Sequence, residues 1–245
     1  MKNVLITHNT CFKFNCVFCF HNFIVQKYFM RYVLQILMLC VVCNRIRAQV
    51  PVREEPRHKT ALLNDYIRLI DVHLASHDTT LYHVHAMPSV VVFISKSKIG
   101  TQDMSGIGLP SGEVLPAQTL FRDYEKDPVT HRVYNSGDSV FHVMDIELLK
   151  KEPAPDSCSA LQQNNIETTI NEKLVRVYKF DLNNNKSLNI QKSSCAHLLI
   201  CISGEINTGT REIKTGEFIF FQPNTAIAVN NKQPGNSTCV LLQLK

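Results

Sequence analysis

The chain repeats its own apolar pattern, and an internal repeat constrains the fold more than any single motif. Sliding the sequence by 108 residues lays Ile67-Arg68-Leu69 on Val175-Arg176-Val177, Leu74 on Leu182, and Val90 to Ser95 on Leu198 to Ser203, without a gap. A second block follows at an offset of 96, where Asn135 falls on Asn231 and Asp145-Ile146-Glu147-Leu148 on Leu241-Leu242-Gln243-Leu244. Identities are few; what recurs is apolar pattern in matched order. Residues 67–74, 89–95, 140–149, 174–182, 197–203, 217–221 and 238–244 read as strands, because they are short, apolar or alternating, and separated by turn residues. Hardly any stretch of the repeat sustains a helical period. The pattern predicts an all-β chain of two small antiparallel barrels in tandem, one over residues 49–150 and one over 164–245. A polar linker over 151–163, with Pro153, Pro155, Asp156, Ser157 and Ser159, separates them.

Residues 1–48 lie outside this repeat and differ from it in charge. All 21 acidic residues fall at Glu54 or later, whereas the first 48 positions hold six of the 26 basic ones. The remainder is therefore 20 basic against 21 acidic, a net charge of −1 in place of the whole chain's +5. A near-neutral body with interspersed charges has no electrostatic footprint for nucleic acid. From Met30 the chain reads Met-Arg-Tyr, an apolar run over 33–42 broken only by Gln35, and then Ala48-Gln49. That is the build of a signal peptide over 30–48, too short to span a bilayer, with an N-terminal membrane anchor as the alternative. Residues 1–29 read as upstream sequence preceding a start at Met30 or as a disordered extension. Their Cys16-Val17-Phe18-Cys19 pair lacks the second pair or flanking pattern that a metal or redox site needs. The expectation is an exported protein, periplasmic or extracellular, with no stable membrane insertion after removal of the signal. Four cysteines remain in the body, Cys158, Cys195, Cys201 and Cys239; an even number permits disulfides there, and Cys201, in an apolar run, reads as a buried small hydrophobe.

The chemistry-bearing residues sit in the first repeat. In Tyr82-His83-Val84-His85 the two histidines are two apart, and on a strand such residues project from one face. A third histidine arrives in Thr130-His131-Arg132-Val133-Tyr134-Asn135, ahead of the last strand of the repeat. Three imidazoles converging inside a barrel suit a divalent transition metal (Fe, Zn, Mn, Cu or Ni) and leave open positions for water or substrate. His-x-His on one strand, an apolar strand after it, and His-x-x-x-Asn near the final strand together resemble the two motifs of the cupins, here as a bicupin. The likeness extends over most of residues 52–245 and is strongest to secreted bacterial members of the family with a similar Thr-His-Arg-Val segment. It implies jelly-roll barrels of the double-stranded β-helix type, with any metal in the mouth of the first.

The sequence departs from the cupin pattern in ways that bear on the site. The glutamate that usually follows the second histidine with three or four residues between is replaced by Ser89 and Val90, and the Pro-x-Gly before the third histidine is replaced by Lys126 and Pro128 at the corresponding positions. The expected site is therefore three histidines without a carboxylate. In the second repeat the ungapped offsets put Gln191, Ser193 and Ile227 where His83, His85 and His131 stand, so no metal is expected there. That barrel is left with packing, dimerisation or metal-free ligand binding as its role.

Glu113, Tyr82 and His197 are candidate pocket residues. His73 and His142 read as structural strand histidines, and His58 and His77 as solvated ones in turn or leader sequence. Residues 100–112, rich in Gly, Ser and Pro, read as a mobile loop over the barrel mouth. Asn135 to Asp138 and Asn183 to Lys186 read as hairpin turns. The function expected is a secreted metal-binding bicupin, in one form a small-molecule dioxygenase or isomerase and in the other a non-catalytic small-ligand-binding or interaction protein. A homodimer is compatible with either.

Overall fold

The computed structural model describes residues 49–150, 158–184, 186–231 and 233–245, together with Tyr32 and Gln35. The readings of residues 1–29, of the signal segment and of the first half of the linker lie outside the described residues. Among the described residues, no helix is long and apolar enough to cross a membrane.

The first barrel comprises β1 (Val50–Pro51), β2 (His58–Leu63), β3 (Ile67–Leu74), β4 (His83–His85), β5 (Ser89–Phe93), β6 (Ser97–Asp103), β7 (Gly112–Val114), β8 (Thr119–Arg122), β9 (Val129–Asn135) and β10 (Phe141–Leu148). They form two sheets, ordered β1-β4-β9-β6-β7 and β2-β3-β10-β5-β8. The second comprises β11 (Ile166–Asn171), β12 (Val175–Leu182), β13 (Ser187–Ile190), β14 (Ala196–Ser203), β15 (Glu205–Asn207), β16 (Glu212–Lys214), β17 (Phe218–Phe221), β18 (Ile227–Asn230) and β19 (Ser237–Leu244). Its sheets run β11-β12-β19-β14-β17 and β13-β18-β15-β16, which is the first barrel's order without the short β1. The expected all-β class and tandem barrels are what the chain adopts.

Burial explains the sequence pattern. The inward residues of the first barrel include Ile70, Val72, Leu74, Phe93, Phe141 and Val143. The opposite faces of the same strands, with Ile67, Leu69, Val90, Val92, Met144 and Ile146, pack against Val175, Val177, Leu198, Ile200, Val240 and Leu242 of the second barrel in one continuous core. The central strands are covered on both sides, so β5, β10, β14 and β19 read as apolar runs, whereas a half-exposed strand would alternate. Residues Gln49–Lys245 accordingly form one compact unit.

The repeat is visible in individual hydrogen bonds. The Asn135 side-chain amide donates to the carbonyls of Leu74, Ala75 and Ser139, and its oxygen accepts from Gly137 N–H. Asn231 donates to the carbonyls of Leu182 and Gly235 and accepts from Gln233 N–H, the same partners displaced by the repeat offsets. Asn135, read as a turn residue from sequence, is instead a buried cross-link: its four bonds satisfy backbone groups where β3, β9 and the β9–β10 connection meet. The region read as a loop over 100–112 begins as strand, since β6 continues to Asp103 and pairs with β9. Asp103 then caps the turn by accepting from Ser105 and Ile107 N–H.

In the second barrel Cys158 and Cys195 form a disulfide across 37 residues, and Arg176, Gln243 and Tyr178 hydrogen-bond the segment from Cys158 to Leu161. Cys201 and Cys239 are free, buried and directly opposite in β14 and β19; for Cys201 burial is what the apolar run predicts.

Candidate metal centre

β4 and β9 bring the histidines together. His83 lies directly opposite His131 in the antiparallel β4–β9 pair, and His85, two residues on, shares the inward face. One ligand atom from each of the three lies within 4.8 Å of the others, and the three ring centroids are 4.9 to 5.0 Å apart. The three candidate ligands are thus brought to one point, with His83 and His85 buried.

The rings are oriented by partners behind them. His83 Nδ1–H donates to the Leu81 carbonyl at 2.9 Å, which leaves the Nε2 lone pair free for an ion. Leu81 is held in turn, because its N–H donates to Glu55 Oε1 at 3.0 Å. Glu55, fully buried, also accepts from Arg57, whose guanidinium is paired with Asp78. Burial, followed by the neighbouring His131, His58 and His85, pushes the His83 imidazole down to about 2. His131 falls to about 4, chiefly by burial, with the Asp145 charge opposing the shift. Both rings are neutral near pH 7 and offer lone pairs without a competing proton.

The structure adds three residues that the sequence reading missed. His58 is not solvated: it opens β2, donates Nδ1–H to the Val52 carbonyl, and packs edge-on to His83 with centroids 4.8 Å apart. Tyr124, just after β8, lies 4.8 Å from the His85 ring, and its hydroxyl is raised to about 12 by burial and then by Asp145, so it stays a proton donor. The third is Asp145 on β10, only 5% exposed, whose Oδ2 lies 3.3 Å from His85 Nδ1 without the alignment of a hydrogen bond. The expectation of a site without a carboxylate is thereby corrected. The carboxylate comes from the last strand of the barrel and not from the segment after His85. A signal was present in the repeat, which sets Asp145 against Leu241 and His58 against Ile166.

The other candidates go elsewhere. Glu113 is exposed on β7 and ion-paired to Lys96 at 2.9 Å, outside the cavity. Tyr82 alternates away from the inward histidines and stacks under the Arg132 guanidinium, 5.1 Å from its ring centroid. His197 is buried in the second barrel on β14, with neither ring nitrogen hydrogen-bonded, and burial lowers it to about 4. His73 and His142 do not approach the cavity; they share Asp71 on the outer face of the β3–β10 pair. His77 is exposed as expected.

The triad closes one part of a cavity of about 160 Å³ whose remaining walls include Leu74, Val91, Phe93, Ile99, Leu120, Phe141 and Val143. Within it, His85 Nδ1, His131 Nε2 and both oxygens of Asp145 have no hydrogen-bond partner. Buried polar atoms without partners are costly, and a carboxylate beside neutral imidazoles is the donor set that a divalent transition cation satisfies. The residues present fit a metal.

In the second barrel the same scaffold is solid. Its register pairs Ile190 with Ile227, where the first barrel pairs His83 with His131. The match to β4 therefore runs one residue earlier than the ungapped offset implies, and the position of His83 is taken by Ile190, not by Gln191. Leu241 replaces Asp145, Ile166 replaces His58, and the interior is filled by these with Leu188, Ile206, Ile213 and Val229 around Tyr178 and Phe180.

No protein-family model matches the sequence, and no curated protein does so either. Solved structures match by fold. AerE from Microcystis aeruginosa superposes with a TM-score of 0.53 at 11% identity, covering 78% of this chain and 98% of that one. The bacterial pirin YhhW from Escherichia coli, in complex with nickel(II), gives 0.54 at 14% identity, covering 76% of this chain and 90% of that one. Salicylate 1,2-dioxygenase from Pseudoaminobacter salicylatoxidans, with gentisate, gives 0.52 at 7% identity, covering 73% and 68%. At such identities the likeness is one of fold, and the chain shares the two-barrel, jelly-roll architecture of these structures, the fold expected of a bicupin.

Proposed function

We propose that the protein is a metal-dependent cupin enzyme, exported from the cytoplasm, that acts on a small molecule with an apolar body in the first barrel. His83, His85 and His131 would hold a divalent transition metal, and the observation that carries this reading is the set of orphaned buried atoms around them, above all the Asp145 carboxylate. Bound there, such an ion supplies Lewis-acid polarisation or one-electron redox chemistry, which fits an isomerase or a dioxygenase. The chain's own residues do the rest. Asp145, with Oδ2 3.3 Å from His85 Nδ1, offers a proton acceptor in a cavity whose other walls are mostly apolar. Tyr124 offers a proton donor beside the His85 ring.

The volume limits the substrate, since cavities of about 150 Å³ lined by aliphatic and aromatic side chains accept a molecule of benzene size. A monocyclic or short branched compound with one polar end fits, the polar end toward the histidines. The nickel(II) in the YhhW structure and the ring substrate class named for the salicylate dioxygenase support this reading as analogies of fold. The Cys158–Cys195 disulfide supports the oxidising compartment implied by the signal-like segment.

The test is metal content of the untagged full chain against a His83→Ala/His131→Ala variant, followed by a panel of small aromatic and aliphatic acids and ketones. Loss of one metal equivalent in the variant, with metal-dependent turnover in the wild type, supports the proposal. Equal metal in both sinks it. Metal loss without turnover on any substrate favours the second reading, a ligand-binding protein that uses the ion as an anchor.

A further inference from the structure

A second group of metal-ligating side chains lies on the first barrel's other sheet, β2-β3-β10-β5-β8, on the face turned away from the cavity. We propose that Asp71, His73 and His142 form a separate transition-metal site, with two imidazoles and one carboxylate, at the seam between the two barrels.

The backbone places these three residues together. His73 on β3 and His142 on β10 are direct cross-strand partners, and Asp71, two residues before His73, shares their face. That face is the one that carries Ile67, Leu69, Met144 and Ile146 into the inter-barrel core, so the group stands at the rim of that core and away from the cavity. The two imidazoles are stacked with centroids 3.9 Å apart and planes inclined by 25°. Nε2 of His142 lies 2.7 Å from Asp71 Oδ1, and Nε2 of His73 lies 3.2 Å from Asp71 Oδ2. Both rings therefore aim the same nitrogen at one carboxylate.

One ligand atom from each of the three lies within 4.8 Å of the others. Bonds of about 2.1 Å to a common ion bring cis ligands to roughly 3 Å from one another. The contraction needed is within reach of His73, whose side chain is 54% exposed and free to turn, while Asp71 and His142 are 22% and 16% exposed and stay as the base of the site. The outer positions remain open to water, as two histidines and one carboxylate leave them. Imidazole and carboxylate donors select Zn(II), Ni(II), Cu(II) or Fe(II) over hard cations such as calcium.

Two further observations separate this group from a scaffold feature. Gly216, in the turn between β16 and β17, has φ +80°, and a Cβ on it would sit 2.8 Å from His142 Cε1. The second barrel thus leaves room for the His142 ring and walls it on one side, which restricts the ring's rotation. In the second barrel the matched positions are Lys179, Asp181 and Thr238, where Thr238 simply hydrogen-bonds Asp181. The fold does not require imidazoles at this place.

The experiment is Zn(II) titration by calorimetry of the untagged full chain, its His73→Ala/His142→Gln variant and its His83→Ala/His131→Ala variant, with circular dichroism to confirm folding. The seam variant is expected to bind one equivalent fewer than the wild type, and the cavity variant to keep that equivalent. The seam result stands whether or not the cavity binds metal, because each is read as a difference from wild type. Asp71→Asn, at a partly exposed and nearly isosteric position, is expected to weaken seam binding at least tenfold without altering the spectrum. Cu(II) loaded at this site is expected to show coupling to two nitrogens by electron paramagnetic resonance, which the seam variant loses. An unchanged stoichiometry in the folded seam variant, or wild-type affinity in Asp71→Asn, overturns the proposal.

Discussion

Replacing Asp145 by leucine is expected to make the metal-free protein more stable while weakening the metal binding proposed at His83, His85 and His131. Asp145 stands in the middle of β10, between Ile70 of β3 and Val91 of β5, 5% exposed and with neither oxygen hydrogen-bonded. Leaving such a group unpaired costs about 1–3 kcal/mol. A leucine fully buried in its place contributes about 1.5–3 kcal/mol. The extra volume has somewhere to go, because the side chain borders the cavity of about 160 Å³. The second barrel shows the outcome already packed, with Leu241 at the matched position and no exposure at all. The sum is roughly 2.5–6 kcal/mol, which for a body of this size raises the melting temperature by about 5–24 °C. Thermal unfolding at pH 7 with excess chelator is the assay, since bound metal would stabilise the wild type and mask the comparison. Leu241→Asp is the reciprocal control and is expected to destabilise by at least as much. A lower melting temperature for Asp145→Leu would refute the reasoning, because it would mean that the carboxylate is paired in the metal-free state and serves the fold.

Three other outcomes follow from the same structure. His131 and His197 titrate near 4 and His83 near 2, all below the ordinary value, so the unfolded chain takes up protons first; stability is full above pH 6.5 and falls as pH drops toward 4, by on the order of 3 kcal/mol each for His131 and His197. Urea unfolding of metal-free protein at pH 7, 5.5 and 4.5 measures this, and a flat profile would contradict the burial argument. Asn135→Ala and Asn231→Ala are each expected to cost about 2–4 kcal/mol, because each strips bonds from buried backbone groups; a loss below 1 kcal/mol at either position would show that water replaces the amide. Reducing the Cys158–Cys195 disulfide, which closes 37 residues, is expected to cost about 3–4 kcal/mol, read as a lower urea midpoint under reducing conditions.

The fold was legible because its central strands are buried on both faces. β3 and β12 match at the offset of 108, and β10 and β19 at 96, over their full lengths, and each is a mostly apolar or alternating run that local pattern identifies. The site was legible only in part. His83, His85 and His131 announce themselves by spacing, since strand periodicity puts His-x-His on one face. Asp145 and His58 do not, because what matters about them is that they face the histidines across the cavity, and that is a property of the folded interior. His58 sits four residues after Glu54 in what reads as leader, and only its pairing with Val72 reveals it as the opening of a strand facing the cavity. Tyr124 lies in a charged connection, Asp123 to Asp127, where no period exists to assign a direction.

The two barrels together separate what the scaffold needs from what the site adds. Both keep the asparagine knot and the Arg68–Glu147 or Arg176–Gln243 contact across the same strand pair, so these belong to the fold. They differ at His58, His83, His131 and Asp145, which become Ile166, Ile190, Ile227 and Leu241, and there the second barrel closes over an apolar interior. Each of the four first-barrel residues is a worse choice for packing than its counterpart. A barrel that held them only by drift would be expected to lose their alignment, yet His83 and His58 each have a dedicated carbonyl partner, and buried Glu55, paired with Arg57, supports the first from behind. That arrangement is stability given up in return for a preorganised set of lone pairs, which is the signature of a site that binds something.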